Sequence, residues 1–217
     1  MPSRTFAVIA GCLIALLLTG RATIVSAQEP GNPEIGLLLR FDAPPGRAFV
    51  AAMERELARI MSSANLRLKW LLPEDSDGKE SFAREMVVTF HGSCRVIPGE
   101  TDAFEFARPV TLADTLADDD SLLPYSETNC DRLRGFLSED GDRPEAGAES
   151  RLGFAMARVL AHEMYHVLLQ TRAHGKSGIA RAAHTPSALL SGSLRFDAMD
   201  LTRIQAQFAR NAGFGRN

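Results

Sequence analysis

The sequence predicts an α+β fold, in which strands and helices follow one another without a repeating unit. Two observations support this class. Several segments alternate apolar and polar residues with the period of two that is typical of half-buried strands. Others place apolar residues every three or four positions, as amphipathic or buried helices do. The chain has 217 residues, of which 45% are hydrophobic and 24% charged, which is the composition of an ordinary globular protein.

The N-terminal segment has the features of an export signal. Arg4 provides a positive start, an uncharged apolar run covers residues 6–18, and residues 25–27 (Val-Ser-Ala) form a small-x-small cleavage site. A membrane anchor and a lipoprotein signal are alternatives, but the apolar run is short for an anchor and extends past the one cysteine of the segment. We therefore expect a signal peptide at residues 1–27. The remainder, residues 28–217, is expected to be one domain that is secreted or periplasmic, with no stable membrane insertion after signal removal.

Export also determines how the cysteines are interpreted. Cys12 leaves with the signal peptide, so that Cys94 and Cys130 remain. Two cysteines in an oxidising compartment most often pair, and we expect a disulfide between them, with two separate buried thiols as the alternative.

The charge of the chain argues against a nucleic-acid partner. The formal net charge is −3, and no stripe of lysine and arginine residues is present. Proteins that bind nucleic acid need such a basic surface to neutralise phosphates.

The first half of the chain is predicted to contain three strands and one helix. The strands are residues 35–41, 66–72 and 85–91. The helix begins near Arg47 and is ended by residues 62–65. Glu54, Glu56 and Arg59 lie opposite its apolar stripe, so we expect them to face solvent.

The second half is predicted to contain short strands followed by helices. Strands are expected near residues 110–112 and at residues 122–125, and Thr128-Asn129 can cap a short helix. Ser150 can cap a longer helix whose apolar residues point in nearly all directions, which indicates a buried helix. Asp197 is a plausible cap for a helix at the C-terminus.

The buried helix carries the sequence His162-Glu-Met-Tyr-His166. Two histidines four positions apart lie on one helical face, with Cβ atoms roughly 5–6 Å apart, so both rings can reach one metal ion. Glu163 lies beside that face, where a general base can take a proton from a metal-activated water. Buried histidines and a buried carboxylate without partners would cost several kcal/mol, which a bound metal would offset.

A catalytic zinc ion usually has three protein ligands and one open position. No glutamate follows Glu163, so the downstream residues of a suitable type are two histidines and two aspartates. His174 lies just past the predicted helix end, in a glycine-containing loop that can fold back, and is the favoured third ligand. His184, the upstream His91 and an aspartate remain alternatives.

These residues resemble the zincin-like metallopeptidases and, within them, the metzincins. The metzincin motif is His-Glu-x-x-His-x-x-Gly-x-x-His, followed by a methionine-containing turn and a C-terminal helix. In this chain Leu169 stands at the glycine position and Arg172 at the third histidine position, and the histidine is displaced by two residues to His174. Ala180 occupies the methionine position.

A closer resemblance is to a group of exported, mostly uncharacterised bacterial zincin-like proteins. That group has a glycine where this chain has Tyr165 and a methionine where it has Ala180. The segments that carry the resemblance are residues 162–169, 174–182 and 194–197, together with residues 88–94 and 123–132.

The resemblance implies a zincin-like mixed sheet packed on helices, with a buried active-site helix and a C-terminal helix. It implies zinc held by His162, His166 and His174, with Glu163 as the catalytic base. The expected activity is that of an exported zinc peptidase acting on a peptide or protein. A zincin-like metal-binding protein without turnover is the first alternative, and a metal-free protein with hydrogen-bonded buried histidines is the second.

Overall fold

A computed structural model of the chain describes residues 32–72, 81–96, 110–119, 121–138 and 147–214, with side chains up to residue 209 in the last segment. The expected signal peptide at residues 1–27 lies outside these ranges. Within them, no helix combines the length and the apolar character that crossing a membrane requires.

A five-stranded mixed sheet is the centre of the described fold. The strands are β1 (Glu34–Phe41), β2 (Arg67–Leu71), β3 (Arg84–His91), β4 (Ala113–Asp118) and β5 (Ser121–Asn129), and their order in the sheet is β2-β1-β3-β5-β4. The pairs β2–β1, β1–β3 and β3–β5 are parallel, whereas β4 is antiparallel to β5 and forms one edge. The predicted strands at residues 35–41, 66–72, 85–91 and 122–125 are confirmed. The one expected near residues 110–112 begins slightly later, at Ala113.

Within the described ranges, five α-helices accompany the sheet. They are α1 (Arg47–Ser62), α2 (Cys130–Ser138), α3 (Ala148–Leu169), α4 (Pro186–Leu190) and α5 (Ala198–Phe214). Helix α3 is buried on nearly all sides, as predicted, because α1, α2, α4, α5 and the strands β4 and β5 all contact it. Gly153 allows α1 and α3 to approach closely, since a Cβ atom there would lie 2.1 Å from the carbonyl oxygen of Phe49. The predicted α+β class, with a mixed sheet packed on helices, a buried motif helix and a C-terminal helix, is confirmed.

Two of the three predicted helix caps are confirmed. The Asn129 side chain accepts from the Arg132 N–H (2.9 Å) at the start of α2, and the Asp197 carboxylate accepts from the Asp200 N–H (2.9 Å) at the start of α5. The prediction for Ser150 is wrong. Helix α3 begins earlier and is preceded by Gly147, whose φ of 96° lies in the left-handed region that glycine adopts without strain.

The expectation that Glu56 faces solvent is also wrong. Its carboxylate is only 5% exposed and accepts from Arg158 Nε (3.0 Å) on α3, as well as from Arg59 (2.7 Å). Arg158 also donates to the Leu189 carbonyl oxygen (2.7 Å) in α4. A buried carboxylate is tolerated because buried and half-buried guanidinium groups compensate its charge.

The predicted disulfide between Cys94 and Cys130 is confirmed. It joins the segment just after β3 to the first residue of α2. Both residues belong to the hydrophobic core, so the bridge lies inside the packed part of the molecule.

Candidate metal centre

His162 and His166 face each other from successive turns of α3, with their Nε2 atoms 3.0 Å apart. Each ring is held by its other nitrogen. Nδ1 of His162 lies 2.8 Å from the Ile179 carbonyl oxygen, and Nδ1 of His166 lies 2.6 Å from the Thr171 carbonyl oxygen. Because a carbonyl oxygen can only accept, both Nδ1 atoms carry the hydrogen, and in neutral rings both Nε2 atoms present lone pairs. Two lone pairs at this distance repel unless a cation lies with them.

Local backbone turns bring the two carbonyl groups to the histidines. Gln170 ends α3 with a φ of 49°, which reverses the chain and returns Thr171 to His166. Its side-chain amide donates to the Leu122 carbonyl oxygen (3.0 Å) and accepts from the Leu122 N–H (3.2 Å), which ties the turn to β5. The Ile179 carbonyl oxygen lies in a 3-10 turn that begins at Gly178.

Gly178 is the one position in that turn where glycine is required. Its φ of 64° is in the left-handed region, and a Cβ atom there would lie 2.2 Å from the Arg195 carbonyl oxygen. A larger residue would displace the turn and with it the oxygen that holds the His162 ring.

His174 completes a group of three. Its ring centroid lies 5.2 Å from that of His162 and 4.9 Å from that of His166. One ring nitrogen from each histidine can be chosen so that all three lie within 4.8 Å of one another. Among the residues that the structure describes, this is the only group of three or more metal-ligating side chains. The three predicted histidines are therefore brought together and could hold a metal ion.

The alternative third ligands have other partners. His184 donates from Nε2 to the Ile179 carbonyl oxygen (3.1 Å), and its ring centroid is 6.2 Å from that of His162. His91 lies at the end of β3, with Nδ1 3.0 Å from Asp42. Asp197 caps α5. None of these residues belongs to the three-histidine group.

The chemistry of the donor set fits zinc. Burial lowers the pKa of His162 to about 4, although its hydrogen bond to Ile179 acts in the opposite direction. Burial likewise lowers the pKa of His166. Both rings are therefore neutral at physiological pH, with lone pairs available to a metal. Three imidazole nitrogens are a donor set typical of zinc sites that keep one position open, and in two of the rings the outer nitrogen donates to a backbone carbonyl.

Glu163 lies next to these histidines and is 6% exposed. Burial raises the pKa of Glu163 to about 7; a hydrogen bond from Thr115 lowers it and the charge of Asp114 raises it. The Thr115 hydroxyl donates to Oε2 of Glu163 at 2.5 Å, and the Ser126 hydroxyl lies 3.0 Å from that of Thr115. Thr115 and Ser126 were not predicted as site residues, because neither belongs to a motif and Thr115 precedes Glu163 by 48 positions.

The histidines and Glu163 open into a cleft of about 1180 Å³. Strand β4 and the loop that carries residues 181–184 both contribute to its lining. Val159 and Leu189 contribute apolar surface to the lining. The arrangement combines a candidate metal centre, a carboxylate with a raised pKa and space for a ligand that is larger than a metal ion.

Tyr165 and Ala180, the two departures from the resembled group, are both packed in the core. The Tyr165 ring stacks on Phe196, with centroids 6.2 Å apart, and its hydroxyl accepts from Arg203 (2.9 Å). The Ala180 carbonyl oxygen accepts from the Gly175 N–H (2.7 Å), which closes the loop after His174. Neither residue lines the cleft.

No protein-family model matches the chain, and no curated protein matches it. Among solved structures, the chain is similar to the crystal structure of archaemetzincin from Methanopyrus kandleri, with a TM-score of 0.49 and 12% sequence identity. The similarity covers 85% of this chain and 99% of the archaemetzincin chain. A likeness of this size establishes neither a shared fold nor a shared activity.

Proposed function

We propose that this chain is an exported zinc-dependent peptidase that hydrolyses peptide bonds in a peptide or protein substrate. The observation that supports it most is the arrangement of His162 and His166. Their Nδ1 hydrogens are committed to backbone carbonyls, and their Nε2 atoms meet at 3.0 Å beside His174. This is the arrangement that a three-histidine zinc site requires.

The histidines have the role of ligands in this proposal. The carbonyl groups of Ile179 and Thr171 fix the ring orientations, so that little ordering remains to be done when the ion binds. When bound, zinc supplies a Lewis acid that polarises a carbonyl group and acidifies water.

Glu163 has the role of general base. Its carboxylate takes a proton from the attacking water and returns it to the amine that leaves. A base acts best when its pKa is near the working pH, and burial places the pKa of Glu163 at about 7. The Thr115 hydroxyl holds one carboxylate oxygen, Oε2, and thereby limits rotation of the group.

The cleft supports a substrate with backbone polar groups. Its wall β4 is an edge strand, paired on one side only with β5, and the apolar Leu112, Val159 and Leu189 lie among its lining residues. The open strand edge and this apolar surface suit a peptide, and Arg172 and Arg181 add two positive charges to the lining. Export rests on the signal-like residues 1–27 and places the reaction outside the cytoplasm.

The alternative function is that of a metal-binding protein without turnover. Tyr165 and Ala180 motivate this alternative, since they replace residues of the resembled group. Both are packed away from the cleft, and Glu163 remains in it. The peptidase is therefore the better supported of the two functions.

A cleavage assay distinguishes them. Purified protein and the Glu163→Gln variant are loaded with zinc and incubated with a mixed peptide library, and products are read by mass spectrometry. We expect the wild type to cleave and the variant, with equal zinc, to be slower by at least about 100-fold. Equal cleavage by both would remove Glu163 from the reaction. No cleavage by the zinc-loaded wild type would favour the metal-binding protein.

A further inference from the structure

The Glu163 carboxylate is connected to the sheet by a chain of two hydroxyl groups. Thr115 Oγ1 lies 2.5 Å from Oε2 of Glu163, and Ser126 Oγ lies 3.0 Å from Thr115 Oγ1. Thr115 is on β4, Ser126 is directly opposite it on β5, and Glu163 is on α3. Three elements therefore meet at this one chain of side-chain contacts.

The donor in each of these two hydrogen bonds follows from the chemistry of the groups. An ionised carboxylate only accepts, so Thr115 gives its single hydroxyl hydrogen to Glu163. Thr115 can then only accept from its other neighbour, so the Ser126 hydroxyl donates to Thr115. Hydrogen bonds aligned in one direction polarise one another, which strengthens the contact to the carboxylate.

The Ser126 hydroxyl, which is the donor farthest from Glu163, is held in a rigid part of the sheet. Ser126 is 1% exposed and lies on an interior strand, between Thr115 on β4 and Val88 on β3. Its hydroxyl therefore has no bulk water to turn towards. Directly after Thr115 the pairing of β4 with β5 shifts register, so Thr115 is the last residue of a regularly paired part of β4. Such irregularities often set the direction of a side chain next to a functional site.

We propose that Thr115 is the positioning residue for the general base, with Ser126 fixing Thr115 in turn. This inference rests on the proposed function. By occupying Oε2, the Thr115 hydroxyl selects one orientation of the Glu163 carboxylate and leaves the other oxygen, Oε1, to exchange protons in the cleft. Precise placement matters because a base displaced by a fraction of an ångström transfers protons less well.

The competing interpretation is that Thr115 and Ser126 only stabilise the sheet, since a Thr–Ser pair opposite each other contributes to strand pairing. The chain offers a matched control for this interpretation. Thr128 is buried on β5, and its hydroxyl donates to the Leu112 carbonyl oxygen (3.0 Å), just before β4. It joins β5 to the residue before β4, its oxygen also lies 3.3 Å from Sδ of Met156 on α3, and it makes no hydrogen bond to Glu163 among the described contacts.

The kinetic test compares Thr115→Val, Thr115→Ser, Ser126→Ala and Thr128→Val with the zinc-loaded wild type. We expect Thr115→Val to lower kcat by roughly 10- to 100-fold with little change in KM, because substrate binding is intact while the base is misplaced. Thr115→Ser, which keeps the hydroxyl, should stay within about threefold of wild type, and Ser126→Ala should fall between them. Thr128→Val should leave kcat within about threefold, and every variant should bind zinc as the wild type does.

Two results would overturn the inference. One is a Thr115→Val variant that keeps zinc and wild-type kcat. The other is a Thr128→Val variant that loses as much kcat as Thr115→Val, since the loss would then come from the strand pair and not from the base.

A second measurement applies even if the wild type cleaves nothing and the proposed function fails. Melting temperatures of Thr115→Val, Glu163→Ala and the double variant form a cycle that reports their contact. We expect the combined shift to differ from the sum of the single shifts by roughly 2–4 °C, whereas Thr128→Val and Glu163→Ala should be additive. Additive shifts for Thr115 and Glu163 would overturn the contact itself.

Discussion

His162 and His184 donate to one acceptor, the carbonyl oxygen of Ile179. The distances are 2.8 Å from Nδ1 of His162 and 3.1 Å from Nε2 of His184. Although they share this acceptor, only one of the two rings belongs to the candidate metal centre. His162 is oriented by the carbonyl and turns its other nitrogen to the group of three histidines, whereas His184 lies outside that group.

The first prediction concerns the third ligand. His174→Ala should weaken zinc binding by at least about 100-fold, because it removes one of three donor nitrogens. His184→Ala should keep the zinc and change the affinity by no more than about tenfold, since it alters only the surroundings of a carbonyl that orients His162. Competition with a zinc-binding dye measures both. The reverse pattern would make His184 the third ligand.

The second prediction concerns the pH dependence of stability in the metal-free protein. The folded-state pKa of Glu163 is raised from 4.5 to about 7 by burial. The folded state therefore holds this proton more tightly, and the stability it contributes is present below pH 4.5 and is lost as the pH rises through 7. The Glu163→Gln variant does not show this pH-dependent loss of stability, because a glutamine side chain does not titrate. The stability of the variant relative to wild type should rise between pH 4.5 and pH 7 by up to roughly 3 kcal/mol.

Urea unfolding of both proteins at a series of pH values, with chelator present, measures this difference. All other titrating groups are common to the two proteins, so they cancel in the comparison. Parallel stability curves would show that burial does not raise the pKa of Glu163.

The third prediction concerns the buried ion pair of Glu56 and Arg158. The Arg158 side chain is fully buried, with Nη2 3.0 Å from the Glu56 carboxylate. Glu56→Leu leaves that guanidinium without its counter-charge and should lower the free energy of unfolding by about 3 kcal/mol. The double variant Glu56→Leu/Arg158→Met should recover part of this loss, because no buried charge remains unpaired. A single variant that is as stable as wild type would contradict the interpretation.

Much of the fold could be predicted because local patterns determine it. The strands β1, β2 and β3 alternate or are uniformly apolar over short runs, and the sequence around α3 is apolar on every side. The grouping of His162, His166 and His174 could be predicted for a different reason. Few residues of a suitable ligand type follow the motif, and only His174 is near the helix end in a loop able to fold back.

The contacts that were not predicted join positions far apart in the sequence. Glu56 was expected to be exposed because its place on α1 is opposite the apolar stripe, and its partner Arg158 is 102 residues away. Thr115 has no sequence signature as a partner of Glu163, because threonine is common in strands and the contact depends on how β4 lies against α3. The start of α3 was misplaced since Ser150 matches a cap by residue type, whereas the backbone turn is made by Gly147.

The zinc content of the purified protein tests the three-histidine centre most directly. Metal analysis after dialysis should find roughly one zinc ion per chain in the wild type and little in a His162→Ala/His166→Ala variant that remains folded by circular dichroism. A folded wild type that retains no zinc, and takes up none when zinc is supplied, would contradict the centre and with it the proposed peptidase.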